Sequence, residues 1–88
     1  MKAFRLVIST PDGNMFDENI LKISLRGVEG DLAVMANHIP FVTSVKPCIC
    51  KIETADQTEK KLSVENGILS VGAEVVTLMS GGCTWVED

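Results

Sequence analysis

The chain contains no tyrosine, one tryptophan, one histidine and two arginines in 88 residues. A nucleic-acid surface needs a cationic footprint, usually with planar side chains to stack on bases. Eight basic against twelve acidic side chains, a net charge of −4 and no basic run exclude one here. The longest uninterrupted apolar stretches are four or five residues, against the roughly 20 that a helix needs to cross a bilayer. Lys2 is followed by strand-like alternation, where a secretory signal would place an apolar block. Three cysteines, an odd set in a chain without such a signal, are expected to be free thiols in a reducing cytosol.

What remains is a globular composition, 45% hydrophobic and 23% charged, in a length that allows a single domain spanning residues 1–88. So small a core has little volume to give up to a deep active site. Charge is unevenly spread: residues 1–52 carry six basic and five acidic groups, residues 53–88 two and seven. The first half is therefore the better candidate to meet an acidic or neutral partner.

The dominant hydrophobic period is two. Phe4, Leu6 and Ile8 share a face, and Leu21, Ile23 and Leu25 alternate with Lys22, Ser24 and Arg26, the pattern of half-buried antiparallel strands. Thr10-Pro11-Asp12-Gly13 reads as a reversal between them, and Asn66-Gly67 as a tight turn. Further strands are predicted at 32–36, 41–45, 48–54, 60–65, 68–71 and 74–80, with a polar loop at 55–59 and the pattern ending at Gly81-Gly82. The expectation is an all-β domain, a small antiparallel β-sandwich or flattened barrel of about eight to ten short strands. Its expected core includes Leu6, Leu21, Ile23, Leu25, Leu32, Val34, Leu62, Val64, Ile68 and Leu78.

Catalytic and metal chemistry find little to build on. His38 with Cys48, Cys50 and Cys83 has the elements of a zinc site, but Cys-x-Cys on a strand lacks the wider gap and tight knuckle of structural zinc sites. No glycine-rich elbow or helix start activates a thiol. Gly27-Val28-Glu29-Gly30 lacks the lysine and hydroxyl residue of a phosphate loop. The reading is of a non-enzyme with no catalytic residue, metal or cofactor, its thiols serving as buried structural groups.

The segment from Gly27 to Pro47 stands apart. It places Leu32, Val34, Met35, Ile39, Phe41, Val42 and Val45 around an Asn37-His38-Ile39-Pro40 break, more apolar surface than one face of a strand pair uses. Core packing absorbs that surface in one reading. In the other, the break holds a loop whose apolar flanks meet a protein partner.

Ordered motifs run through the chain: Phe4-x-Leu6-x-Ile8-x-Thr10-Pro11-Asp12-Gly13, Phe16, Gly27-x-Glu29-Gly30-Asp31-Leu32, His38-x-Pro40, Lys46-Pro47, Glu65-Asn66-Gly67-Ile68-Leu69-x-Val71 and Val75–Met79. In order and spacing the set resembles the epsilon subunit of rotary F-type ATP synthases, from residue 4 to about residue 80. Some positions depart from that pattern: Ala33 and Cys48 stand where the family usually has glycine, and Ala36-Asn37 where it often has Pro-Gly. Asn37 tolerates a left-handed backbone better than most residues, so the loop shape is expected to survive.

The resemblance implies the β-sandwich of a non-catalytic rotor subunit, which in that family precedes a two-helix C-terminal hairpin. The chain stops at Asp88, where the hairpin would begin, and is expected to be either a shortened piece or a naturally short subunit. The implied partners are the gamma subunit and the membrane ring, with the chain monomeric in a peripheral complex on the cytoplasmic face of a bacterial membrane. There it would support the coupling of ion translocation to ATP synthesis, without inserting into the membrane. The contact residues so implied are Glu29, Gly30, Asp31, His38, Pro40, Phe41 and Val42, with Asp31 at the family's acid position facing the ring. The rival is a free-standing sandwich adaptor that shares the fold and binds an unrelated protein.

Overall fold

A computed structural model of the chain describes residues 2–37 and 39–86. The period-two pattern becomes nine strands among them: β1 (Phe4–Thr10), β2 (Gly13–Gly27), β3 (Gly30–Met35), β4 (Phe41–Val45), β5 (Cys48–Thr54), β6 (Glu59–Val64), β7 (Gly67–Val71), β8 (Val75–Ser80) and β9 (Cys83–Trp85). No described residue is helical. Every ladder is antiparallel except β1 with β8, which run parallel because the long path between them is not a hairpin.

The strands form two leaves joined through β2, whose 15 residues serve both. Its first half pairs with β1, from Gly13 opposite Thr10 to Ile20 opposite Phe4, and that leaf continues through β8, β7 and β4. Its second half lies between β3 and β5, and the other leaf continues through β6 to β9. The register with β5 shifts between Ile20 and Lys22, an irregularity that bends the strand where it passes from one leaf to the other. Gly27 opposite Val45, and the Lys46 N–H donating to the Arg26 carbonyl at 3.0 Å, close the seam between β2 and β4. The result is the expected sandwich, closed on that side like a flattened barrel.

The inward rows of both leaves make one core. Leu6, Ile8, Leu69, Val76 and Leu78 from the first leaf and Ile23, Cys50, Ile52 and Leu62 from the second all have 0% exposure. Burial of a large aliphatic side chain stabilises by about 1.5–3 kcal/mol, so these residues dominate the fold. Of the expected core, Leu32 is half-buried and Ile68 is wrongly placed, being 46% exposed. Gly67 explains the error. It lies so close to β8 that a Cβ there would land on the Met79 carbonyl oxygen. That approach seats Gly67 opposite Ser80 and turns Leu69 and Val71 inward, leaving Ile68 outside.

Two more corrections concern strand limits. The chain does not leave the sheet at Gly81-Gly82. The buried Ser80 hydroxyl accepts the Gly82 N–H at 3.2 Å and the chain crosses to the second leaf, where β9 pairs with β6. Trp85 on β9 then meets Phe16 of β2 at a centroid distance of 5.7 Å, closing one end of the sandwich. β2 also begins earlier than its apolar alternation suggests. Asn14, Asp17, Glu18 and Asn19 are exposed, and of that stretch only Phe16 and Ile20 are buried.

Candidate functional site

The β2–β3 connection is the tightest hairpin in the suspected contact region. Gly27 and Gly30 are paired across the ladder, so only Val28 and Glu29 form its tip. Gly30 has φ of 125°, a conformation that side chains rarely adopt, which is why a two-residue loop needs glycine there. Glu29 and Gly30 are exposed, and Val28 keeps 52% exposure. Asp31 is exposed too, but it is engaged: Arg26 Nε donates to its Oδ1 at 3.0 Å, and that bond raises the guanidinium pKa above its ordinary value.

The start of β4 lies across a shallow cleft from this turn. Phe41, Val42 and Thr43 form one wall, and Gly27, Glu29, Gly30, Asp31 and Leu32 the other. Five of the seven expected contact residues are thus brought together: Glu29, Gly30, Asp31, Phe41 and Val42. Pro40 is exposed just before β4. His38 lies outside the described residues. Asn37 adopts the left-handed conformation, φ 68°, that its tolerance for that region allows, so the departure from Pro-Gly does not prevent a glycine-like bend at that position.

A second surface was not singled out by the residue patterns. Cross-strand registers place Val42, Ser44, Ile68, Ser70, Val75, Thr77, Met79, Val7 and Ser9 on the outer side of β4, β7, β8 and β1. Among the described residues, the one charged side chain that β4, β7, β8 and β1 place on that face is Arg5, which makes two hydrogen bonds to Asp17 of β2 at 2.8 and 2.7 Å. Those bonds hold the Asp17 carboxylate below its ordinary pKa. Val42, Ile68 and Met79 keep 69%, 46% and 44% exposure. The opposite leaf is different: Lys22, Arg26, Asp31, Lys51, Glu53, Glu59 and Lys61 stud its outer face. The missing signal was phase, since Ile68 and Met79 fall on the outward beat of their strands and still are apolar.

The cysteines lie on the inner side of the second leaf; only Cys50 is buried as expected, Cys48 and Cys83 are half-buried, and Cys48 lines a cleft shared with Arg26, Asp31 and Leu32. Cys48 and Cys83 flank Val64 from β5 and β9, a full strand apart, and Cys50 is buried opposite Leu62. Burial, helped by the neighbouring Cys48 and Cys83, pushes the Cys50 thiol up to about 12, so it stays protonated and unreactive.

Comparison with known proteins agrees with this architecture. The ATP synthase Delta/Epsilon chain β-sandwich domain family matches residues 3–86. The chain is 32% identical over 87 residues to the sodium-ion-specific ATP synthase epsilon chain of Acetobacterium woodii, an overlap of 99% of this chain and 65% of the relative. It is 34% identical over 87 residues to the ATP synthase epsilon chain of Clostridium novyi, covering 99% and 66%. It therefore spans just under two thirds of the length of these relatives. Among solved structures, a chain of the Euglena gracilis mitochondrial ATP synthase, in an OSCP/F1/c-ring assembly, superposes with a TM-score of 0.88 at 21% identity, covering 94% of this chain and 53% of that one. At that identity the likeness speaks for the fold alone, while the match over residues 3–86 decides the family: the chain belongs to the β-sandwich domain family of ATP synthase delta and epsilon chains.

Proposed function

We propose that the chain is the sandwich domain of a non-catalytic rotor subunit, joining the gamma subunit to the membrane ring of an ATP synthase at the cytoplasmic face of a bacterial membrane. In this role it works as a single domain and a monomer within the complex, transmitting torque so that ion translocation is coupled to ATP synthesis. The observation that carries the reading is the outer face of the first leaf, uncharged apart from the Arg5–Asp17 pair and with Val42, Ile68 and Met79 exposed. A face of that kind suits a broad protein partner, for which gamma is the candidate. The β2–β3 turn adjoins that face at Val42 and, with Phe41, forms a smaller feature, acidic at its tip, suited to polar loops of the ring. Family membership favours this reading over a free-standing adaptor unrelated to ATP synthases.

Co-purification tests it. The chain is expected to form a one-to-one complex with gamma that then captures the membrane ring. A folded chain that binds neither partner contradicts the proposal.

A further inference from the structure

The β2–β3 turn carries two acids, and the structure gives them different surroundings. Arg26 and Asp31 stand directly opposite each other in the ladder, the last pair before the two glycines. Their side chains are joined at 3.0 Å and remain 61% and 79% exposed. Glu29 sits at the tip, exposed, and makes no ion pair among the described residues.

Those surroundings imply different work. Beyond Arg26 and Asp31 the hairpin has only a Gly27–Gly30 pair and a two-residue loop, so a side-chain tie at the last non-glycine position has the greatest leverage on where the tip points. A cation approaching Asp31 must share or break an existing pair, and it meets the positive charge of Arg26 on the same face. Glu29 faces neither obstacle, and the exposed Val28 beside it adds apolar contact.

We propose that Asp31 acts within the chain, as a positioning residue that holds the β2–β3 turn through Arg26, and that Glu29 is the carboxylate the turn presents to a cationic group on the partner. The inference rests on the ring-contact reading above, in which family resemblance gives the contact to Asp31.

The test uses five full chains: wild type, Glu29→Gln, Arg26→Asp, Asp31→Arg, and the swap Arg26→Asp with Asp31→Arg. Each is first checked by circular dichroism and thermal melting. Binding is then measured to a detergent-solubilised subcomplex of gamma and ring from the cognate synthase, at low and at physiological salt. Glu29→Gln is expected to weaken binding about tenfold at low salt and to flatten its salt dependence. Asp31→Arg is expected to weaken binding as well, whereas the swap, which rebuilds the cross-strand pair with its charges exchanged, returns to within about threefold of wild type. The proposal is overturned if the swap stays as weak as Asp31→Arg, because Asp31 then meets the partner itself. It is overturned equally if Glu29→Gln binds like wild type at both salts. A wild-type chain that is folded yet does not bind the subcomplex overturns the rotor reading, and the role of Glu29 with it. The melts still decide the positioning half in that event: coupling between positions 26 and 31 in the thermal double-mutant cycle upholds the internal pair, and strict additivity removes it.

Discussion

Replacing Met79 by aspartate sets a charge in the middle of the uncharged leaf face. Met79 stands between Ile68 of β7 and Ser9 of β1, and neither can neutralise a carboxylate. Arg5, the cation of that face, is already held by Asp17. At 44% exposure the methionine contributes roughly half of a full burial, about 1 kcal/mol. Aspartate in a strand costs up to about 1 kcal/mol more. A small domain with at least about 5 kcal/mol of stability survives both, so the variant stays folded. Against gamma the outcome differs. A desolvated carboxylate without a partner costs about 3 kcal/mol, which corresponds to roughly a 100-fold loss of affinity. Isothermal titration of the chain against purified gamma reads that loss, with circular dichroism melts as the folding control. Glu59→Lys is the comparison: it lies on the charged leaf directly opposite Glu53, turns a like-charge pair into an opposite one, and should raise the melting point slightly without changing gamma binding. A folded Met79→Asp chain that binds gamma as tightly as wild type refutes the assignment of this face.

Trp85→Ala removes the ring facing Phe16 at 5.7 Å and the surface beneath the Lys60 ammonium at 5.5 Å; it should lower stability in urea unfolding by about 2–3 kcal/mol, less than for a fully buried aromatic because Trp85 is half-buried. Cys50 should resist iodoacetamide at pH 8 while the half-buried Cys48 and Cys83 are labelled first, because burial keeps its thiol protonated; mass spectrometry showing equal rates contradicts this. Hydrogen bonds from the Thr54 hydroxyl and from Thr58 hold the Asp56 carboxylate below its ordinary pKa. A group depressed on folding adds stability that is fully present above its unfolded value, about 3.9, and is lost as pH falls through the folded value. Asp56→Asn should therefore melt closer to wild type at acid pH than at neutral pH, and a constant difference across the range excludes the linkage.

Strand positions were legible wherever apolar and polar residues alternate between clear turns, as in β4 and β5, whose limits are the expected ones. Legibility failed where one leaf hands over to the other. The first half of β2 is a polar edge with a single neighbour, so its sequence looks like loop. β9 is three residues long and is held by Trp85 packing across the sandwich, a contact that no local pattern announces. The apolar character of Ile68 points to the core, whereas its direction is decided by the backbone contact at Gly67. The candidate site divides in the same way. Glu29, Gly30, Asp31, Phe41 and Val42 are legible in the sequence motifs and do converge on one cleft. Arg26 is not, because its pairing with Asp31 depends on a cross-strand register that becomes visible only in the folded hairpin. The uncharged leaf face was hidden for a similar reason: its residues come from four strands scattered along the chain.

The claim that this domain couples rotor to ring is tested most directly in reconstituted vesicles holding a synthase depleted of the chain, with ATP hydrolysis and ATP-driven ion pumping recorded together. Depletion is predicted to leave hydrolysis running while pumping collapses, and adding the chain back is predicted to restore the ratio of pumping to hydrolysis. Pumping that is unchanged by depletion, or that a folded chain fails to restore, contradicts the account.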